Sequence, residues 1–236
     1  MNTDYLNFCP RLKEIIDTGT TVNSKGEKIK TEAISTLNNI KVIREILREL
    51  KPIRTLEIGL AHGASALIIL STLREISPNG FLHTAIDPHQ TTVWGGSSIR
   101  VINDEGYSEN FRFYEDYSAI VLANLVKEKE KFYFAYVDGS HLFENVFLDF
   151  YYTSILLNKG SIVLFDDCTD RNVAKVIKFI NKNYSDILQP LNVKPFEEPQ
   201  KPSYKKLGNL LGIRQLIGFR KIIEPPRQWN AKFRNF

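Results

Sequence analysis

Residues 54–76 of the chain read "RTLEIGLAHGASALIILSTLREI". A short run suited to a buried strand (54–59) leads into a turn with two glycines, and a run at helical spacing (63–76) follows. Glycine lets the backbone turn sharply and approach a ligand closely, and the start of the helix offers free N–H groups. The spacing of Gly59 and Gly63 is G-x-x-x-G, which differs from the G-x-G-x-x-G of dinucleotide binding. Because Glu57 precedes the turn and would repel a pyrophosphate, the stretch favours a ligand that carries positive charge.

The same alternation continues outward from this stretch. The predicted strands are 54–59, 81–87, 111–116, 132–138 and 161–167. The predicted helices are 63–76, 97–106, 117–129, 141–157 and 171–184. Alternation of this kind, with unbroken apolar strands, predicts an α/β fold of the Rossmann-like, doubly wound type, with a mostly parallel sheet. The segments 186–196 and 214–223 are predicted to be a closing pair of strands, with an antiparallel last strand and a Pro- and Lys-rich excursion (195–206) between them.

The chain is predicted to have one main domain with additions at both ends. Residues 31–50 form an amphipathic helical pattern, for which Thr31 is the expected N-cap and Pro52 the end. We therefore expect an N-terminal extension and helix (1–50) that acts as a cap or lid, an α/β domain (51–223) and a basic C-terminal tail (224–236).

The composition of the chain indicates in which cellular environment the protein is expected. With 236 residues, 43% of them hydrophobic, the chain can bury one substantial core. No apolar run approaches the roughly 18 residues of a membrane span, and the N-terminus lacks a signal-peptide pattern. The two cysteines, Cys9 and Cys168, do not suffice for a disulfide framework or a zinc cluster. These features predict a reducing, cytoplasmic location.

The net charge of +4 is unevenly distributed. Residues 201–236 contain nine Lys or Arg and one acid, whereas the preceding 200 residues contain 22 basic and 26 acidic residues. A basic segment can attract nucleic acid, anionic lipid or an acidic substrate, and a solvated edge is the simpler interpretation. Because the segment lacks the interleaved aromatic and glycine pattern of an RNA-binding module, a nucleic-acid partner is not expected.

Acidic residues end every predicted strand of the main domain. They are Glu57 (just before Gly59), Asp87, Asp116, Asp138 and the pair Asp166 and Asp167. Ligands of parallel α/β sheets bind beyond the carboxyl ends of the strands. Asp87 is placed to accept hydrogen bonds from ribose hydroxyls, and Asp116 could reach an adenine amino group, with Glu115 and Tyr117 as competitors. A single strand-end Asp is often only a helix N-cap, so the prediction depends on the whole set.

The last three acids predict a cation site. Asp138, Asp166 and Asp167 would converge at one sheet edge, and converging carboxylates favour a hard cation with oxygen ligands. A cation would also relieve the repulsion between the neighbouring charges of Asp166 and Asp167.

The stretches "TLEIGLAHGAS" (55–65), "HTAID" (83–87) and "VDGSHLFENVFLDF" (137–150) with "LLNKGSIVLFDD" (156–167) resemble a known family. They are similar to class I S-adenosylmethionine-dependent methyltransferases, in particular the catechol O-methyltransferase-like group and related bacterial small-molecule methyltransferases. The resemblance covers about residues 52–170. The combination of "DGSH" with "LFDD" some 25 residues later is more specific than the glycine turn.

The resemblance implies a role for each of these residues. S-adenosyl-L-methionine would be held by Glu57, Gly59, Gly63, Ser65, Asp87 and Asp116. Mg²⁺ would be held by Asp138, Asp166 and Asp167, where the family frequently has Asp-Asn instead of the Asp-Asp pair. His141 occupies the position at which catechol-type enzymes carry a catalytic lysine, and its imidazole could act as the base.

The predicted function is therefore Mg²⁺-dependent O-methylation of a small molecule that carries a hydroxyl group. A metal-independent methyltransferase of a sugar or polyketide hydroxyl remains the nearest alternative. An NAD-dependent oxidoreductase and a non-catalytic nucleotide-binding protein are more distant ones. The sequence leaves the acceptor and the oligomeric state open, a homo-oligomer included.

Overall fold

Strands and helices alternate along the described chain, as the sequence predicts. The computed structural model describes residues 4–32, 34–78, 80–197, 214–224 and 230–236. They fall into two units, Met1–Tyr117 and Ser118–Phe236. The elements of the first unit are α1 (Pro10–Thr18), β1 (Thr20–Val22), β2 (Lys28–Lys30), α2 (Leu37–Leu50), β3 (Arg54–Ile58), α3 (Ala64–Ile76), β4 (Leu82–Ile86), α4 (Ser97–Asp104) and β5 (Phe111–Tyr114). Those of the second are α5 (Ser118–Lys127), β6 (Phe132–Val137), α6 (Phe143–Leu156), β7 (Leu157–Phe165), α7 (Arg171–Asn183), β8 (Leu188–Leu191) and β9 (Ile217–Lys221).

The first unit contains three parallel strands in the order β5-β4-β3. Residues of α3 from Ala64 to Leu73 are all buried, because this helix packs against both α2 and β4. The N-terminal β1 and β2 form a separate antiparallel pair. The glycine turn between β3 and α3 is therefore anchored by a buried strand on one side and a buried helix on the other.

The second unit combines parallel and antiparallel pairing in the order β6-β7-β9-β8. Strand β6 pairs parallel with β7, whereas β9 runs antiparallel to both β7 and β8. The predicted closing pair and antiparallel last strand are thereby confirmed. The fold class is the predicted one, α/β and Rossmann-like with mostly parallel strands. Most of the 195–206 excursion, and residues 225–229 of the tail, lie outside the described residues.

The helix predicted at 31–50 begins later than expected. Helix α2 starts at Leu37, and the hydroxyl of Thr36 accepts a hydrogen bond from the amide of Asn39, which makes Thr36 the N-cap. Thr31 instead donates its backbone N–H to the carbonyl of Gly19. The prediction of Thr31 as N-cap was wrong because this backbone bond holds residue 31 beside the β1–β2 pair.

Strand ends place the acidic residues as predicted within each unit. Strand β6 ends directly before Asp138, and β7 ends directly before Asp166, whose amide donates to the carbonyl of Val137 at 3.0 Å. In the first unit Asp87 follows β4 and donates its amide to the carbonyl of Tyr114 at the end of β5. Parallel neighbours therefore bring their carboxyl-end acids to the same edge in each unit. None of the described helices is long and apolar enough to cross a membrane.

A buried carboxyl group lies between two helices of the second unit. Asp149 of α6 is 1% exposed, and it forms a hydrogen bond with Ser118 at the start of α5. Among the residues that the structure describes, its Oδ1 atom has no hydrogen-bond partner. Burial raises the pKa of Asp149 to about 7, an effect that the bond from Ser118 only partly offsets.

We predict that Asp149 makes the free energy of unfolding fall as pH rises. The folded chain retains a proton on this group up to about pH 7, whereas the unfolded chain releases it near the ordinary pKa of 3.8. Stability is therefore lost between these values as pH increases. Relative to wild type, the free energy of unfolding of Asp149→Asn should gain about 2 kcal/mol between pH 5 and pH 7 and then level off, as urea unfolding would measure. Asp186→Asn, an exposed control, should show no such trend; parallel curves for Asp149→Asn and wild type would contradict the prediction.

Candidate active site

The turn after β3 has the left-handed backbone that its glycines permit. Gly59, Ala61 and Gly63 have φ values of 88°, 42° and 81°. A Cβ atom on Gly63 would lie 2.9 Å from the Cβ of Ser98, so residue 63 has to be glycine for α4 to pack at this distance. Helix α3 begins directly after Gly63 without a side-chain cap, which leaves its first amides available to a ligand.

Asp87 holds this turn closed. Its Oδ2 atom accepts hydrogen bonds from the amides of Leu60 and Ala61, at 3.0 and 2.8 Å, and from the Gln90 side chain at 3.4 Å. Its Oδ1 atom accepts the amide of His89 at 2.8 Å. Asp87 is 4% exposed. Its carboxylate therefore shapes the turn, and its predicted contact with a ribose would have to share these oxygens.

Glu57 lies at the centre of a buried hydrogen-bond chain. Its Oε1 accepts from the hydroxyl of Ser65, and its Oε2 lies 2.8 Å from Nε2 of His83. His83 Nδ1 lies 2.8 Å from the hydroxyl of Thr55, its neighbour in the β3–β4 register. Glu57, His83 and Thr55 are fully buried. The chain joins β3, β4 and the first turn of α3, and it includes two of the predicted cofactor residues, Glu57 and Ser65.

Asp116 has a different environment from these two acids. It is exposed, and it accepts a hydrogen bond from the amide of the adjacent Tyr117 at 2.7 Å. The neighbouring Glu115 accepts bonds from the hydroxyl and amide of Thr91, which hold the pKa of Glu115 below its ordinary value. Of the predicted cofactor acids, Asp116 is therefore the one with an exposed carboxylate.

In the second unit the structure brings Asp138, His141 and Asp167 together. One ligand atom from each lies within 4.8 Å of the others. Nε2 of His141 is 2.9 Å from Oδ2 of Asp167. Two carboxylates and an imidazole at this separation could close around a divalent cation with small side-chain movements, so the donor set fits a metal.

Asp166 lies at the same strand end, but its carboxylate has different hydrogen-bond partners. It is 6% exposed, and its Oδ2 accepts the phenol of Tyr136 at 2.5 Å. Its Oδ1 accepts the amide of Asp167 at 2.7 Å and the side chain of Gln215 at 3.2 Å. The phenol of Tyr136 also lies 3.2 Å from Oδ2 of Asp138. Tyr136 thus links Asp166 to the cluster that contains its predicted partners.

Asp167 departs from strand geometry. Its φ is 50°, a left-handed value that is uncommon for a residue other than glycine. The side chain of Gln215 donates to Asp167, and the amide of Cys168 donates to the carbonyl of Gln215 at 2.9 Å. This backbone conformation breaks the alternation of the strand, so that the two adjacent carboxylates separate.

His141 lies at the mouth of a small cleft. Its side chain is 47% exposed, and its carbonyl accepts a hydrogen bond from the side chain of Asn172 at 3.0 Å. The cleft is lined by Val137, Asp138, Gly139, Ser140, His141, Val146, Phe165, Asp166 and Val173. Because Nε2 faces a carboxylate it carries the proton, and Nδ1 is then the nitrogen that can accept another.

Sequence reasoning missed several residues of these networks. His83 lies in the stretch "HTAID" but was given no role in the site, and Tyr136, Gln90 and Gln215 carried no motif signal. Alternation along β6 places Tyr136 on the same face as Asp138, and this was the available signal for it. Cys168 follows the acidic pair, and burial raises the pKa of its thiol, which disfavours the reactive thiolate.

We predict that His83→Leu lowers the free energy of unfolding by about 3 kcal/mol, because it leaves the buried carboxylate of Glu57 short of a donor. Adding Glu57→Gln to His83→Leu should restore part of this loss, since the double variant has no buried charge. Urea unfolding of both variants would measure the difference. A double variant no more stable than His83→Leu would contradict this account of the network.

Comparisons with known proteins bear on the domain and on the fold. Residues 56–168 match the family model of a methyltransferase domain. A sequence search of curated proteins returns no significant match.

Three solved structures illustrate the similarity of fold. An O-methyltransferase from Bacillus cereus, solved with SAH, has a TM-score of 0.62 at 13% identity, with 90% of this chain and 91% of that chain covered. The O-methyltransferase TomG from Streptomyces achromogenes, involved in tomaymycin synthesis and solved with SAM, has a TM-score of 0.61 at 14% identity, with 94% and 92% covered. CalS11, a TDP-rhamnose 3'-O-methyltransferase of calicheamicin biosynthesis, has a TM-score of 0.59 at 14% identity, with 93% and 95% covered. At these identities the structures establish the fold, and the family model establishes the domain. The predicted resemblance is confirmed to this extent: residues 56–168 match a methyltransferase domain, and solved O-methyltransferases share the fold of the chain.

Proposed function

We propose that the protein is an S-adenosylmethionine-dependent O-methyltransferase that acts on the hydroxyl group of a small molecule. The observation that carries the proposal is the pairing of His141 with Asp167 beside Asp138. This arrangement provides a base, a carboxylate that orients it and a second carboxylate at the ends of two parallel strands. The solved structures named above include an O-methyltransferase involved in tomaymycin synthesis and a TDP-rhamnose 3'-O-methyltransferase, and these two support a small-molecule acceptor.

The acceptor proton would be removed by the second unit's own residues. Asp167 holds Nε2–H of His141 and stabilises the imidazolium that forms when Nδ1 accepts the proton. The acceptor would bind beside His141, next to the small cleft whose wall includes the apolar side chains of Val146 and Val173.

The cofactor is assigned to the first unit. S-adenosylmethionine would supply the methyl group as a sulfonium electrophile. The free amides at the start of α3 and the exposed carboxylate of Asp116 are the groups that could contact it directly. Glu57, Gly59, Gly63, Ser65 and Asp87 would keep the turn in the shape that the cofactor requires.

The role of Mg²⁺ is also a proposal. A divalent cation at this site would act as a Lewis acid that lowers the pKa of the acceptor hydroxyl. Asp138 and Asp167 would be its direct ligands, and Asp166 would join them only if it gave up the bond from Tyr136. The alternative is a metal-independent methyltransferase of a sugar or polyketide, and the 2.9 Å His141–Asp167 contact favours it because such a pair can act as a base without a metal.

We predict that the protein binds S-adenosylhomocysteine and that Asp116→Asn weakens binding by about tenfold, through loss of one charge-assisted hydrogen bond. Isothermal titration calorimetry would measure both affinities. The matched control is Glu115→Gln, which should change the affinity little because Glu115 is engaged by Thr91. Absence of binding to the wild-type protein would refute the cofactor assignment.

We predict that His141→Ala lowers the rate of methyl transfer by about 10²–10⁴-fold, the usual effect of removing a general base. Transfer of labelled methyl from S-adenosylmethionine to catechol, sugar and polyketide hydroxyls would be measured with and without EDTA. Loss of turnover with EDTA and its recovery with Mg²⁺ would support the metal-dependent form. Turnover that resists EDTA but is lost in His141→Ala and Asp167→Ala would select the metal-independent form, with Asp186→Ala as the unaffected control. Full activity of His141→Ala would overturn the assignment of the base.

A further inference from the structure

Helix α7 presents a continuous cationic face. Its exposed charged residues are spaced four, three and four apart, which places them along one side of the helix: Arg171, Lys175, Lys178 and Lys182. The opposite side, which includes Val176 and Ile180, is fully buried in the second unit. Helix α7 contains no acidic residue.

The four cations are not neutralised by ion pairs. Within the described part of the chain, none of them forms a salt bridge. The nearest acids along the sequence flank the helix: Asp170 caps its N-terminus through the amides of Asn172 and Val173, and Asp186 follows its end. The positive charge of this face therefore remains directed to solvent.

The C-terminal segment 230–236 is fixed beside this face. The side chain of Asn183, at the end of α7, donates to the carbonyl of Arg234 and accepts from its amide, both at 2.8 Å. Phe233 and Phe236 pack on Phe179 of α7, with ring centroids 6.3 and 5.2 Å away. Residues 179 and 183 are the immediate neighbours of Lys178 and Lys182 in the helix, so the segment borders the cationic side.

The two phenylalanines of segment 230–236 remain largely exposed to solvent. Phe233 is 64% exposed and Phe236 45% exposed, although both contact Phe179. Two more basic residues, Lys232 and Arg234, alternate with them and are exposed. Phe233 and Phe236 therefore add exposed apolar surface directly beside a cluster of cations.

We propose that the outward face of α7 and the segment 230–236 bind the surface of an anionic lipid membrane. Lysine and arginine attract anionic headgroups, and phenylalanine, which has no polar group, enters the boundary between headgroups and acyl chains. A nucleic acid fits less well. The rings of Phe233 and Phe236 meet edge to face at 70°, and those of Phe179 and Phe236 at 79°, so they form a closed cluster and not a row of parallel faces on which bases could stack.

The test is flotation of the full-length protein with vesicles of phosphatidylcholine alone or with 30% phosphatidylglycerol. We expect binding to the anionic vesicles only, with release at high salt. The triple variant Lys175→Gln/Lys178→Gln/Lys182→Gln should lower the partition coefficient at least tenfold, and Phe233→Ser/Phe236→Ser should do so as well.

The matched control is Lys25→Gln/Lys28→Gln/Lys30→Gln, which removes the same charge from exposed positions of the first unit and should bind like wild type. Thermal unfolding would verify that each variant is folded. Failure of wild type to bind anionic vesicles, equal binding to neutral ones, or an equal loss in the control would overturn the proposal. Binding of a mixed-sequence oligonucleotide in place of vesicles would overturn it too, by assigning the face to nucleic acid.

Discussion

A carboxylate that folding removes from water must be given hydrogen-bond donors, and this requirement organises the strand ends of the protein. Glu57, Asp87 and Asp166 are all at least 94% buried. An unpaired buried charge is prohibitive, so each is surrounded by donors. Glu57 is contacted by the side chains of Ser65 and His83. Asp87 accepts hydrogen bonds from backbone amides of the adjoining turn and loop. Asp166 accepts hydrogen bonds from a phenol, a backbone amide and a glutamine side chain. The geometry of the two predicted binding regions follows from how these donors are supplied.

Supplying the donors requires unusual backbone conformations. Asp87 can bind two consecutive amides only because the turn at 59–63 takes up left-handed φ values. Asp167, also left-handed, donates its amide to Asp166, and this same turn carries its carboxylate towards His141. Residues in sparsely populated backbone regions persist where the surrounding contacts over-determine them, and such residues concentrate at functional sites. The strain at Asp167 and the position of the proposed base are therefore two consequences of one conformation.

Much of this arrangement could be predicted from the sequence, and the parts that could not have a common physical reason. Local patterns predicted the order of strands and helices, and they placed Asp138 and the Asp166–Asp167 pair at strand ends. This was possible because the spacing of apolar residues, and the point at which an apolar run stops, can be read from a short segment alone. The pairing of Glu57 with His83 depends on the register of β3 with β4, which alternation alone does not specify. The contact of Gln215 with Asp167 joins residues 48 apart in the chain. Thr36 replaced Thr31 as the cap of α2 because a backbone bond to Gly19, also a distant residue, holds residue 31 outside the helix.

The acids that looked equivalent in the sequence thus divide into two groups by environment. Glu57, Asp87 and Asp166 are saturated by donors and stabilise turns, whereas Asp116, Asp138 and Asp167 keep carboxylate surface within reach of solvent. On the proposed function, a residue of the first group would act on a ligand through the shape that it maintains, and one of the second group would act by direct contact. On this division, the two adjacent carboxylates that follow β7 would not compete for one role. Asp166 is stabilised as part of the scaffold, and that stabilisation leaves Asp167 free to orient His141 or to bind a cation.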